Sequence, residues 1–408
     1  MSAFRYLIRA LLVCSLLVPA SATARKADAE LPPIIDYRER FLPVVAREGM
    51  VVATERLAAE VGKRILQQGG NAVDAAVATG FALAVTYPRA GNLTGGGFML
   101  IHLAAENRQV FIDYRETAPQ AATRDMFLDE NGEVDNKRAF SSHQSAGVPG
   151  TVAGLLHALE EHGTMSRKEV LAPAIELAEK GLTVSFSLNY EITARGQRLR
   201  GNPEALRLFF RPDGKAYDIG ETWRQPDLAW TLRQIAENGR DGFYKGEVAR
   251  RIAAEMEAGG GLITLEDLAA YRAVERTPIR GNFRGFEILS SPPPSSGGIH
   301  IVQMLNILSG YDLAGMGHNS AAYLHHLTEA MKLAYADRSK YLGDTDFVDV
   351  PVAALTDPAY AARQRRLIDP DKATPSVDIL PGRVLAAESL DTTHYNVVDS
   401  RGNAVSNT

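Results

Sequence analysis

Near the end of this 408-residue chain stands Asp391-Thr392-Thr393-His394-Tyr395, a pair of hydroxyls between a polar linker and a β-type run. Thr-Thr at a strand start is mostly an expression of β propensity. A threonine hydroxyl becomes a useful nucleophile only with a base beside it, and one solution is the threonine's own α-amine. Using that amine requires a cut immediately before the threonine. The Pro-, Asp- and Arg-rich stretch from Asp369 to Leu390 gives such a cut steric room.

Other candidates fit less well. Gly95-Gly96-Gly97 and Ser295-Ser296-Gly297-Gly298 match neither G-x-x-x-x-G-K-[ST] nor G-x-G-x-x-G, and the first precedes a strand rather than a helix, so both read as tight structural turns. No G-x-S-x-G elbow surrounds Ser295 or Ser296, which read as loop hydroxyls. His325 and His326 are adjacent on a helix and point apart, and no H-E-x-x-H exists, so no metal site is expected. The single cysteine, Cys14, lies in the apolar amino-terminal stretch, which leaves no thiolate nucleophile in a processed chain. No cofactor is expected. On local grounds Arg115 reads as a surface partner of Glu116.

The elements that would carry these residues are legible from periodicity. Met50–Ala53 reads as a strand, and Leu57, Val61, Ile65 and Leu66 recur at helical spacing before Gly69-Gly70. Asn71 caps a helix from Ala72 to about Val85 that is apolar all round apart from Asp74, the mark of a helix buried between layers. Phe98–Leu103 and Val110–Arg115 form a hairpin. Helices are expected over Thr151–Glu161, Arg167–Lys180, Pro226–Asn238, Gly246–Ala258 and Leu265–Tyr271, then a strand at Phe286–Ser290. Further helices run through Ile301, Leu305 and Leu308 and over Ser320–Leu342. A final run, Thr393–Val398, meets a turn at Asp399–Asn403 where a second strand opens. This is a mixed, layered α/β fold.

Composition narrows the class. Hydrophobic residues are 45% and charged residues 23%, ordinary globular values. Net charge is −5 with no run of five like charges, which argues against a nucleic-acid platform or a polybasic membrane patch. The amino terminus has Arg5 and Arg9, an apolar stretch Ala10–Pro19 and Ala20-Ser21-Ala22, the order of a secretory signal. That stretch is too short to span a bilayer, which needs about 20 apolar residues. Residues 1–22 are therefore expected to be a cleaved signal peptide, and the protein to be exported, periplasmic or secreted, with no membrane span afterwards.

Seven blocks in order resemble the γ-glutamyltranspeptidase (glutathione hydrolase) family. They are Arg47-Glu-Gly-Met-Val, Gly69-Gly-Asn-Ala-Val-Asp-Ala-Ala, Gly91-Asn-Leu-Thr-Gly-Gly-Gly-Phe-Met-Leu, Asp113-Tyr-Arg-Glu-Thr-Ala-Pro, Gly147-Val-Pro-Gly-Thr-Val-Ala-Gly, Pro292-Pro-Pro-Ser-Ser-Gly-Gly and Thr392-Thr-His-Tyr. The resemblance implies an N-terminal-nucleophile hydrolase with an αββα sandwich, made as a precursor that cuts itself between Asp391 and Thr392. Residues 23–391 would be the large-subunit portion and 392–408 the start of the small one. Thr392 would be the nucleophile, and Arg115 would grip the donor's α-carboxylate. The implied partners are small molecules: glutathione, other γ-glutamyl compounds, water, and amino-acid or dipeptide acceptors.

Only 408 − 392 = 16 residues follow Thr392, whereas the family's small subunit is substantial. The expectation is a chain truncated early in that subunit, with an incomplete sandwich and no activity of its own. Its last hairpin is expected to be left open, with an inner strand lacking partners and Ala72–Val85 losing cover. Two other readings remain: a glutaryl β-lactam acylase of the same fold, and a non-catalytic truncated interaction protein.

Overall fold

The computed structural model describes residues 44–379 and 392–408. The expected signal peptide at 1–22 and the carbonyl side of the Asp391–Thr392 bond lie outside the described residues. Arg47–Thr408 forms one compact unit.

Ten strands occur among the described residues: β1 (Gly49–Val52), β2 (Phe98–Leu103), β3 (Arg108–Asp113), β4 (Leu182–Thr183), β5 (Thr222–Trp223), β6 (Val274–Arg276), β7 (Ile279–Phe283), β8 (Phe286–Ser290), β9 (Tyr395–Asp399) and β10 (Ala404–Asn407). Six make an antiparallel sheet in the order β1-β9-β10-β2-β3-β6. The others make two-stranded pairs, β4–β5 and β7–β8.

One face of the sheet packs on helices. Met99 and Ile101 of β2, Tyr395 and Val397 of β9 and Val405 of β10 point inward by strand alternation and are buried. They meet the Ala72–Thr86 helix, of which every residue but Gly80 is buried. Asn71 and Asp74 close a capping box at its start. Asp74 also reaches outward, accepting from the Thr164 and Met165 backbone N–H groups at 2.9 and 3.0 Å and from the Thr164 hydroxyl at 2.6 Å. One buried carboxylate thus serves two chain segments, which explains a charge inside an otherwise apolar helix. The Arg167–Lys180 helix follows the sequence expectation residue for residue, as do Pro226–Asn238 and Gly246–Ala258.

The last hairpin corrects an expectation. It is closed among the described residues: β10 lies between β9 and β2, and β9 between β1 and β10, so each strand has two neighbours. Asp399 accounts for the closure. Its Oδ1 accepts from the N–H groups of Arg401 and Asn403, while its Oδ2 accepts from Ala72 N–H at 3.0 Å, at the amino end of the buried helix. The helix therefore keeps the cover expected to be lost. The described residues supply a helix layer and one six-stranded sheet of an αββα arrangement.

A second lobe follows β6. The helices Gly297–Leu308, Ala321–Tyr341 and Pro358–Arg365 pack through Ile307, Leu308, Ala330, Leu333, Ala361 and Ile368. Ile299 and Val302 join the first helix to Ile279 of β7 in a separate small cluster. The strand β7, absent from the sequence reading, is the partner that Phe286–Ser290 needs.

Candidate active site

Thr392 is exposed at the segment leading into β9, and its hydroxyl has no hydrogen bond among the described residues. Its neighbours differ. Thr393 Oγ1 is 3.2 Å from Thr54 Oγ1, and His394 is engaged at both ring nitrogens, Nδ1 with the Thr408 hydroxyl and Nε2 with the Ser406 hydroxyl at 3.1 Å. The adjacent threonines thus separate physically: one is bound into the fold, and the other faces solvent.

Thr392 lines an open cleft of about 910 Å³, and Arg115 lines the same cleft with Phe98, Ser295, Ser296 and Gly297. The two residues read from sequence as nucleophile and carboxylate grip therefore share one cavity. Arg115 follows β3 directly. It is exposed, and it makes no ion pair with Glu116 or any other carboxylate among the described residues, contrary to the local reading of an Arg115–Glu116 surface pair. Its guanidinium carbon is 5.9 Å from the centroid of the Phe98 ring, which stacks on Phe111.

The glycines beside it have a steric purpose. A Cβ at Gly96 would sit 2.6 Å from both the Tyr114 carbonyl oxygen and the Glu116 nitrogen, and one at Gly150 would collide with the Tyr114 carbonyl. The Gly95-Gly96-Gly97 turn lets the Tyr114–Glu116 segment pass close by, in keeping with its reading as structural.

A smaller space of about 160 Å³ reaches Thr392 from another side and is lined by Tyr114, Glu116, Thr151, Tyr395 and Asn407. Burial pushes the phenols of Tyr114 and Tyr395 well above their ordinary value, in Tyr114 against the opposing pull of its 2.6 Å hydrogen bond to Asn407 Oδ1. Neither can take a proton from Thr392 near neutrality as a phenolate. A more apolar pocket of about 310 Å³, lined by residues such as Tyr87, Leu188 and Ile192, carries none of this constellation.

Sequence reasoning set aside the Ser295-Ser296-Gly297 turn, yet it forms cleft wall. Ser295 behaves as a loop hydroxyl, 2.9 Å from the Ser291 hydroxyl and accepting from Gly297 N–H at 3.2 Å. Ser296 makes no side-chain hydrogen bond at the helix it precedes. Its inclusion among the seven blocks was the available signal. His325 and His326 diverge as expected: one reaches the Asp369 carbonyl and the other, buried, the Ala322 carbonyl. Among the described residues no three His, Cys, Asp or Glu groups gather as a metal site, and no helix is long and apolar enough to cross a membrane.

A helix layer on an antiparallel sheet, with a cleft-lining threonine in the segment that leads into an inner strand, is the arrangement of N-terminal-nucleophile hydrolases. The family model described as gamma-glutamyltranspeptidase matches residues 58–408. The chain is 51% identical over 391 residues to the glutathione hydrolase proenzyme of Escherichia coli strain K12, covering 95% of this chain and 67% of that one. It superposes on the crystal structure of Helicobacter pylori gamma-glutamyltranspeptidase with a TM-score of 0.82 at 43% identity, covering 86% of this chain and 100% of the solved chain. It matches cephalosporin acylase from Bacillus halodurans with a TM-score of 0.76 at 30% identity, covering 92% and 68%. The chain belongs to the γ-glutamyltranspeptidase family. It spans about two thirds of the length of the curated relatives it matches.

Proposed function

We propose that this chain belongs to an enzyme that transfers and hydrolyses γ-glutamyl groups of glutathione and related compounds, with Thr392 as nucleophile once the Asp391–Thr392 bond is cut, and that the 408 residues by themselves are inactive. The observation that carries the reading is the shared cleft: Thr392 and Arg115 belong to distant parts of the chain and line one cavity. Export by residues 1–22 and division into portions 23–391 and 392 onward belong to the same proposal, supported by the order of the amino-terminal residues and by the relative's description as a proenzyme.

In the cut, Thr392 Oγ attacks the carbonyl carbon of Asp391 and its proton passes to the departing amide nitrogen. Water hydrolyses the resulting ester, leaving the Asp391 carboxylate and a free α-amine on Thr392. A model α-amine titrates at about 7.7–8.0, so about a tenth to a sixth of it is free to accept a proton at pH 7, and more as the pH rises. Both His394 nitrogens are engaged and the two phenols are held protonated, which supports that amine as the base for the Thr392 hydroxyl.

In turnover, the fork of Arg115 makes two charge-assisted hydrogen bonds to the donor's α-carboxylate. Thr392 Oγ bonds to the γ-carbonyl carbon, the amine takes the hydroxyl proton and passes it to the leaving nitrogen, and the C–N bond breaks. Water resolves the γ-glutamyl ester to glutamate, or an acceptor amine resolves it to a new γ-glutamyl amide. The test is a chromogenic γ-glutamyl anilide assayed with the proenzyme as its gene encodes it. Turnover that Thr392→Ala abolishes supports the reading, and turnover that survives Thr392→Ala refutes it.

The similarity to the cephalosporin acylase supports a second reading, hydrolysis of a glutaryl amide. A glutaryl group places a carboxylate where Arg115 would hold it, so the two substrates differ only in the α-amine. Parallel rates on γ-glutamyl and glutaryl anilides separate the readings.

A further inference from the structure

Arg115 is held by its backbone on both sides. Its N–H donates to Asp113 Oδ1 at 3.0 Å, and its carbonyl accepts from the Tyr271 hydroxyl at 2.8 Å. Asp113 is in turn held from behind. Its Oδ2 accepts from Arg276 Nε at 2.7 Å, across 163 residues of sequence. The rest of that guanidinium forks onto Asp346, Nη1 to Oδ1 at 2.9 Å and Nη2 to Oδ2 at 2.7 Å. The side chains of Asp113 and Arg276 are 8% and 14% exposed, and that of Asp346 is 54% exposed.

All three nitrogens of Arg276 are therefore spent on carboxylates, and Arg276 does not line the cleft. Its position gives it a different use. Arg276 ends β6, which pairs with β3 through Phe111↔Arg276 and Asp113↔Val274, so it braces the point from which Arg115 projects. Asp346 belongs to the stretch after the Ala321–Tyr341 helix, so the same fork ties the second lobe to the sheet end that carries Arg115. A long side chain that must meet a carboxylate bidentately gains from a fixed Cα, because small displacements spoil both bonds at once.

We propose that Arg276 is a positioning residue for donor binding: bridging Asp346 and Asp113, it sets the backbone of Arg115 so that the guanidinium meets the donor's α-carboxylate. The inference rests on the reading of Arg115 given above. A bridge that merely stabilised the fold would affect all substrates alike. A positioning bridge acts only on substrates that carry the carboxylate.

The test uses the matured proenzyme with two anilides, γ-glutamyl and 4-aminobutyryl, the second lacking the α-carboxylate. Arg276→Ala should raise KM for the γ-glutamyl anilide about tenfold with kcat within about threefold, and should leave kcat/KM for the 4-aminobutyryl anilide unchanged. Arg276→Lys, which can hold one carboxylate but cannot fork, should recover part of the loss. Asp346→Asn, at the exposed end, should raise the same KM by about threefold without threatening the fold. Equal losses on both substrates, or an unchanged KM in both Arg276→Ala and Asp346→Asn, would overturn the proposal. Should Arg276→Ala fail to fold, Asp346→Asn decides alone. Arg115→Ala separates the two levels. If it leaves the preference for the γ-glutamyl anilide intact, the grip itself is wrong and the bridge falls with it; if it destroys that preference while the Arg276 and Asp346 variants do not, only the bridge is wrong.

Discussion

The hydroxyls of Thr54 and Thr393 lie 3.2 Å apart, joining the segment after β1 to the residue that precedes His394. Among the described residues the contact leaves Thr392 as the free hydroxyl of the pair, and it makes the order of the two threonines testable.

Thr392→Ala should leave a single uncut chain, whereas Thr393→Ala, which removes only the tether to Thr54, should still process. Gel mobility and amino-terminal sequencing of the smaller product check this. A product that begins at Thr393 would assign the cut to the wrong bond.

Arg115→Lys should raise KM for a γ-glutamyl donor with little change in kcat. Replacing a planar fork by a point charge should cost about 1.5–3 kcal/mol of donor binding. Steady-state kinetics on the anilide measure it, and unchanged kinetics would remove Arg115 from the site.

Gly150→Ala should disturb the same grip from a distance. The added methyl would meet the Tyr114 carbonyl and the Tyr271 hydroxyl, the group that holds the Arg115 carbonyl. Overpacking of this kind costs about 1–3 kcal/mol, so a lower urea midpoint should accompany a raised KM. A variant with wild-type midpoint and KM would contradict the packing described.

How much of this was legible in the sequence depended on the range of the forces involved. The Ala72–Thr86 helix announced itself through Asn71, Asp74 and an unbroken apolar run, because capping and burial are written locally. The pairing of β1 with β9 joins Gly49 to Asp399, and no local pattern specifies a partner that far away. The strand β7 was missed because Ile279-Arg-Gly-Asn-Phe283 carries a glycine and an asparagine that lower its β propensity, while its pairing with β8 supplies the stabilisation. Thr392 and Arg115 came from matched blocks. The bridge from Asp346 through Arg276 to Asp113 had no sequence signal, since its members lie far apart and each alone reads as a surface charge.

Acid should weaken the fold through two imidazoles. Burial, the largest influence on each, lowers the pKa of His162 and of His300; Glu275 opposes it at the first, while Arg108 and His157 reinforce it. A group with a depressed folded pKa binds more protons when unfolded, so its contribution is intact above the unfolded value of about 6.5 and is lost as the pH falls below it. Urea midpoints should therefore drop between pH 7.5 and 5.5, and less so in His300→Asn. An identical drop in that variant would exclude His300 as a cause.

The most direct measurement is on the covalent intermediate. The matured proenzyme is mixed with a γ-glutamyl anilide, quenched in acid within the turnover time, and its small subunit digested for peptide mass spectrometry. The account predicts a γ-glutamyl group esterified to the hydroxyl of an amino-terminal Thr392. A γ-glutamyl group on any other residue, or a small subunit that does not begin at Thr392, would contradict it.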